Sequence, residues 1–280
     1  MKLHKIEAGA FHVDGGAAFG VVPKKVWQKR YQADKDNYCR VHMRCLLIDT
    51  GNRLILIDTG TGDKQLEYLK FYGFEGVINF DAELSKLGYK AEQVTDVIFT
   101  HLHFDHCGGA TRYNADKTAV ELVFPNAVHH VGETQWQNFL KPNVREGDSY
   151  FKENMLPIAD AGKLHTLTGD EFLCPEVEMR IYDGHTPGQI VTYINMGNQK
   201  TIVYCGDVIP LAANVPLAWI SSYDVFPLTA MEEKKRLLDE AAEKQQILFF
   251  EHDAYTECCT VVSNYNKHKV SSTLRFEEVL

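Results

Sequence analysis

A domain of the α+β class, with strands and helices arranged in layers, is predicted by three observations. Short apolar runs of strand length alternate with amphipathic or Gly-rich segments, and no internal repeat or low-complexity stretch interrupts them. With 280 residues, 45% of them apolar and 24% charged, the chain can bury a sizeable core, and one domain over 1–280 is expected. Leu54-Ile55-Leu56-Ile57 reads as a strand ending in the small-residue turn Asp58-Thr59-Gly60-Thr61-Gly62. Residues 82–87, closed by Gly88, read as a short helix with a glycine C-cap. Val97-Ile98-Phe99 is a strand that runs directly into Thr100-His101-Leu102-His103-Phe104-Asp105-His106. Over 124–167 the pattern weakens, with Trp136, Phe139, Tyr150, Phe151 and Met155 spread among polar residues, and the segment reads equally as a cap over a site or as core. Three further strands follow, at 179–182, 201–205 and 247–250. Between the last two, Thr229-Ala230-Met231-Glu232 has capping-box spacing and starts a helix through Leu237, Leu238 and Ala241 to about Lys244.

Charge and composition exclude several classes. Lys and Arg number 29 against 38 Asp and Glu, a net charge of −9, and no long basic run occurs. Nucleic acid is therefore not an expected partner, since phosphate neutralisation supplies most of that affinity. Residues 1–10 lack the apolar run of a secretory signal and no stretch of 18 apolar residues exists, so a cytoplasmic protein with no membrane partner is expected. The seven cysteines show no C-x-x-C spacing and are read as reduced, mostly buried thiols.

The chemistry is concentrated at strand ends. In an extended segment alternate side chains share a face, so His101, His103 and Asp105 can point the same way, and a turn after Phe104 brings His106 round as a fourth donor. Imidazole and carboxylate are donors that zinc and related first-row metals take. A strand followed at once by such a donor recurs three times, leading to His185 in Asp183-Gly184-His185-Thr186-Pro187-Gly188, to Asp207 in Gly206-Asp207, and to His252 in Glu251-His252-Asp253. Strands of one domain tend to end along a common edge, where distant donors converge while the turns stay open to substrate. A lone His or Asp after a strand is more often a hydrogen-bonded structural residue; it is the joint occurrence that points to metal.

These residues carry a resemblance. His101-x-His103-x-Asp105-His106, then His185, Asp207 and His252, resemble the metallo-β-lactamase superfamily in its dinuclear hydrolase form. More narrowly, Asp14-Gly15-Gly16-Ala17-Ala18-Phe19-Gly20-Val21-Val22-Pro23-Lys24, with Phe124-Pro125-Asn126-Ala127 and His252-Asp253-Ala254-Tyr255, is similar to the YtnP-like quorum-quenching lactonases and their methyl parathion hydrolase relatives. The resemblance implies the four-layer αββα sandwich. It also implies two divalent metal ions, with zinc fitting the donors best and manganese, iron or cobalt as alternatives. By carry-over His101, His103 and His185 hold one metal, Asp105, His106 and His252 the other, and Asp207 bridges them. Asp105 and Asp207 are then the catalytic carboxylates of a hydrolase that opens a small lactone, such as an N-acyl homoserine lactone, with a hydroxide held between the metals. Asp58 and Gln189 are expected behind the ligands, and Phe19, Trp27, Trp136, Trp219, Tyr223 and Tyr255 around the substrate.

Two departures matter. Gln189 stands where many relatives have a second His, and Pro210 stands three residues beyond Asp207, where well-studied acyl-homoserine lactonases carry a Tyr. The alternatives are a phosphotriesterase or arylesterase of the methyl parathion hydrolase type and a glyoxalase II-like thioester hydrolase. A metal-binding protein on an inactive scaffold would require a missing ligand, and all seven are present. The mixed apolar and basic loop 19–27 fits a pocket wall or a dimer contact, which leaves a homodimer open.

Overall fold

The computed structural model describes residues 1–264 and 267–280. Its elements begin with β1 (Lys2–Asp14), α1 (Gly15–Phe19), α2 (Lys24–Trp27), β2 (Tyr38–Asp49), β3 (Leu54–Ile57), α3 (Phe80–Lys86), β4 (Asp96–Ile98) and α4 (Phe104–Cys107). They continue with β5 (Thr111–Tyr113), β6 (Val120–Leu122), β7 (Val128–Gly132), α5 (Glu133–Leu140), α6 (Lys152–Asp160) and β8 (Leu164–Leu167). The remainder is β9 (Glu171–Cys174), β10 (Val177–Tyr182), β11 (Gln189–Asn195), β12 (Thr201–Tyr204), α7 (Pro227–Glu243), β13 (Ile247–Phe249), β14 (Cys258–Asn264), β15 (Lys267–Leu274) and α8 (Phe276–Val279). The chain forms two compact units, the first from residues 1–11 and 43–169, the second from 12–42 and 170–280. Mixed sheets with helices in each meet the α+β expectation.

The first unit is built on a six-stranded sheet with strand order β1-β2-β3-β4-β7-β8. β3 pairs antiparallel with β2, and a parallel run goes from β3 through β4 and β7 to β8. Strands inside a parallel run are covered on both faces, which is why β3 and β4 are buried at every position instead of alternating. Ile57 lies opposite Ile98, so the turns leaving β3 and β4 start beside each other, one with Asp58 and the other with Thr100 and His101. Segment 124–167 contributes β7 and β8 to this sheet, with α5 and α6 on the connection between them. The helix expected over 82–87 starts earlier, at Phe80, because Asn79 Oδ1 accepts from Ala82 N and caps it there.

The second unit carries a seven-stranded sheet with strand order β15-β14-β13-β12-β11-β10-β9. Its pairs are antiparallel except β12 with β13, the two strands joined through α7. Leu237, Leu238 and Ala241 of that helix are fully buried in one cluster with Val203, Leu248 and Cys259 of β12, β13 and β14. Truncating either leucine to Ala costs about 2–5 kcal/mol at such sites. The helix starts at Pro227 rather than at the expected Thr229 box: proline's fixed φ suits the first helical position, and Ala230 N already donates to Phe226 O. Thr229 therefore lies inside the first turn. All seven cysteines are free, and six are buried.

Candidate metal centre

Register explains how each unit gathers its donors. In the first, the two turns after β3 and β4 press together so closely that a Cβ on Gly108 would meet Thr61 O at 2.1 Å and one on Gly109 would meet Thr59 O at 2.1 Å. Only glycine allows that approach, and it lets Thr59 N and Oγ1 bond His106 O at 2.7 and 3.0 Å. Asp58 occupies the left-handed region at φ 57, and its Oδ1 accepts from Thr100 N at 2.7 Å while Oδ2 accepts from Thr100 Oγ1 at 2.7 Å. Asp58 Oδ2 also lies 3.1 Å from His106 Nδ1, and Thr100 Oγ1 lies 3.1 Å from His101 Nδ1. A carboxylate and an already donating hydroxyl both need a proton from the ring, so each imidazole is protonated on Nδ1 and keeps its Nε2 lone pair. His103 is the N-cap residue of α4, and its Nδ1 lies 2.9 Å from His101 Nε2 while its Nε2 is 3.3 Å from Glu146 Oε2. Asp105 sits in the first turn of α4 with Oδ2 3.6 Å from His106 Nε2. Burial pushes the adjacent Cys107 thiol up to about 12, which removes it as a thiolate donor.

The second unit uses the other half of the strand-end rule. β10 and β11 are antiparallel with Tyr182 opposite Gln189, so the link between them is short and carries His185. A Cβ on Gly184 would come within 2.3 Å of Ala230 Cα, which fixes this link against the start of α7. β12 and β13 are parallel, with Tyr204 opposite Phe249, and their C-terminal ends deliver Asp207 and His252 side by side. The carboxylate of Asp207 lies between two imidazoles, Oδ2 3.3 Å from His185 Nε2 and Oδ1 3.0 Å from His252 Nε2. The opposite nitrogens are held by protein: His185 Nδ1 is 2.9 Å from Asp224 Oδ1, and His252 Nδ1 donates to His42 O at 2.7 Å. With its amide oxygen turned to accept, buried Gln189 takes hydrogen bonds from Asp207 N and Val208 N at 2.9 and 3.0 Å, behind the carboxylate.

The structure divides the expected substrate residues. Phe19 and Trp27 are fully buried and stacked at 4.9 Å, and Trp27 fills the space a side chain at Gly15 would need. Each ring thus has one face covered by the other. Their Gly-rich block braces the loop that carries Asp224: Ser222 N and Ser221 Oγ donate to Ala17 O, and Asn214 Nδ2 donates to Ala18 O. Trp219 stands edge-on to Phe19 and under the Arg30 guanidinium. Trp136 is half-buried and stacked on Phe139. Tyr223 and Tyr255 are the exposed members of the set, at 41% and 53%. Sequence reasoning missed Glu146 and Asp224, the carboxylates on His103 and His185. Each lies 39 or more residues from its histidine, with no strand end to flag it.

The profile of the metallo-beta-lactamase superfamily matches residues 44–252. The chain belongs to the metallo-β-lactamase superfamily. It is a metal-dependent hydrolase of the α+β metallo-β-lactamase fold. Among relatives in this superfamily, N-acyl homoserine lactonase AiiA of Bacillus thuringiensis subsp. kurstaki is 26% identical over 240 residues, covering 79% of this chain and 85% of its own. A crystal structure of a probable metal-dependent hydrolase from Staphylococcus aureus superposes with a TM-score of 0.89 at 28% identity, covering 98% of this chain and 97% of the other. The dizinc quorum-quenching lactonase AidC, solved with the product N-hexanoyl-L-homoserine, gives a TM-score of 0.78 at 22% identity and covers 98% and 95%. At that identity the likeness is one of fold. Among the described residues no helix is long and apolar enough to cross a membrane.

Proposed function

We propose that this metallo-β-lactamase superfamily hydrolase opens a small lactone, an N-acyl homoserine lactone being the first candidate, with two divalent metal ions. The observation that carries the reading is the donor chemistry. Every one of the five candidate imidazoles has a protein oxygen on one nitrogen, which assigns the other as the neutral ligand nitrogen, and a second-unit carboxylate lies between two of them. Such a set fits zinc, with manganese, iron or cobalt as alternatives that elemental analysis separates. We assign His101, His103 and His185 to one ion, Asp105, His106 and His252 to the other, and Asp207 to both. When bound, the ions supply an acidified water and polarise an ester carbonyl.

The chain's own residues do the rest. Thr100, Glu146, Asp58, Asp224 and His42 orient the imidazoles, and Gln189 anchors the backbone of Asp207. Water adds to the lactone carbonyl and gives up a proton to Asp105, the ring C–O bond breaks, and Asp105 returns that proton to the departing alkoxide to give the open hydroxy acid. Tyr223, Tyr255 and Trp219 are the candidates for the part of the phenol that Pro210 cannot supply, and of these Tyr223 and Tyr255 are exposed. Opening such a lactone removes a quorum signal, and free thiols throughout support a cytoplasmic setting. Pro210 at the lactonase tyrosine position favours the second reading, an activated aryl ester or phosphotriester substrate. A panel of acyl-homoserine lactones, aryl esters, phosphotriesters and S-lactoylglutathione separates them, followed with and without chelator. The lactones are expected to turn over fastest and to stop with metal removal. No turnover of any lactone by the metal-loaded protein would remove the first reading.

A further inference from the structure

The link that carries His185 is held by the start of α7. Between β10 and β11, Gly188 N donates to Asp183 Oδ1 at 2.8 Å and closes the link on itself. The chain entering α7 bonds its backbone, with Val225 N donating to His185 O and Phe226 N to Gly184 O, both at 2.9 Å. One residue of the helix proper adds a carboxylate. Asp183 N lies 2.9 and 3.0 Å from the two carboxylate oxygens of Glu233, and Gly184 N donates to Glu233 Oε2 at 2.8 Å. Glu233 stands three residues beyond Ala230, the residue against which Gly184 is pressed, so the two share a helix face. Four residues further on, Leu237 is fully buried in the cluster with Val203 and Leu248, which makes the helix a fixed support. Gly184 is buried, and among the described residues its N–H has no other acceptor. A buried N–H left without an acceptor is costly, so the carboxylate decides the path of the link.

We propose that Glu233 is a positioning residue for His185: by holding the N–H groups of Asp183 and Gly184 it fixes the backbone from which the imidazole presents Nε2 to the carboxylate of Asp207. His185 Nε2 lies 3.3 Å from Asp207 Oδ2 in that arrangement. In Glu233→Gln an amide NH2 takes the place of one oxygen and faces a backbone N–H, and the charge that strengthens both bonds is lost. The consequence for bound ions rests on the metal reading above.

The test compares wild type with Glu233→Gln in zinc titrations against a competing chelator and in crystals of the two metal-free proteins. His185 is assigned to one ion, so one of the two zinc steps is expected to weaken about 10-fold while the other holds. In the metal-free variant the separation of His185 Nε2 from Asp207 Oδ2 is expected to change by about 0.5 Å or more, the tolerance of a functional constellation. Two unchanged zinc steps overturn the proposal, as do two steps weakened alike, which is the mark of a general loss of structure. Where the variant fails to fold, a long-range HNCO spectrum of the wild-type protein decides. Coupling across the hydrogen bond should connect the Gly184 amide to the Glu233 carboxyl carbon, and its absence overturns the proposal. A wild-type protein that takes up no zinc defeats the metal reading, and the two metal-free crystal structures then judge Glu233 by themselves, an unmoved His185 ring overturning its role.

Discussion

At Asp58 the backbone is held at φ 57, a conformation that costs an aspartate on the order of 1 kcal/mol or more, and its carboxylate binds Thr100 twice and His106 once. The strain is offset by those bonds, which fix two imidazoles at once because Thr100 in turn holds His101. Asp58→Ala is therefore expected to weaken zinc binding by about 10–100-fold while the chain stays folded. Chelator competition with circular dichroism as the control measures this, and unchanged affinity would remove Asp58 from the account. This residue was legible in the sequence because it follows a strand directly, and the segments that carry the seven candidate donors each start at a strand end. Glu146 and Asp224 were not. Each lies in a stretch without periodicity, and only three-dimensional proximity to a histidine gives it meaning.

Elements explain how residues at strand ends come to lie beside each other. A parallel pair such as β3 and β4, or β12 and β13, must finish at the same edge, so side chains just past each end are neighbours whatever their separation in sequence. Helix starts were less legible: α3 and α7 begin earlier than expected, one set by an Asn cap and one by a proline at its first position. The loop after β12 owes its shape to α7. Lys234 is buried, and its Nζ donates to Asn214 O, Pro216 O and Trp219 O at 3.0, 3.2 and 3.1 Å. Lys234→Met leaves three carbonyls short of a donor and should cost about 2 kcal/mol in urea unfolding. Burial also pushes the Lys234 ammonium down to about 7. Between pH 7 and 10.5 the unfolded chain then holds the proton more tightly than the folded one, so stability rises with pH across that window. The Met variant should lose this part of the slope, and an unchanged slope would contradict it.

For the whole molecule, acid is the condition that discriminates. His129 of β7 is fully buried and stacked on Phe99, and burial pushes its imidazole down to about 4 from the ordinary 6.5. The unfolded chain takes up this proton first, so stability is lost as pH falls from about 6.5 to about 4, by up to about 3 kcal/mol. His129→Leu should flatten that part of the acid limb in urea titrations, and an unaltered limb would rule out His129 as its source. Nothing in the sequence marked this histidine, since its role depends only on how deeply β7 is buried. The two-unit organisation was equally hidden, because β1 and β2 each contribute residues to both units and no linker composition separates them.

The proposed function assigns the seven candidate donors to one pair of ions. An anomalous difference map recorded above the zinc edge from crystals grown with zinc measures this directly. Two peaks are predicted, one touched by His101, His103 and His185, the other by Asp105, His106 and His252, with Asp207 against both. A map with no peak there, or with the peaks touched by other residues, would contradict it.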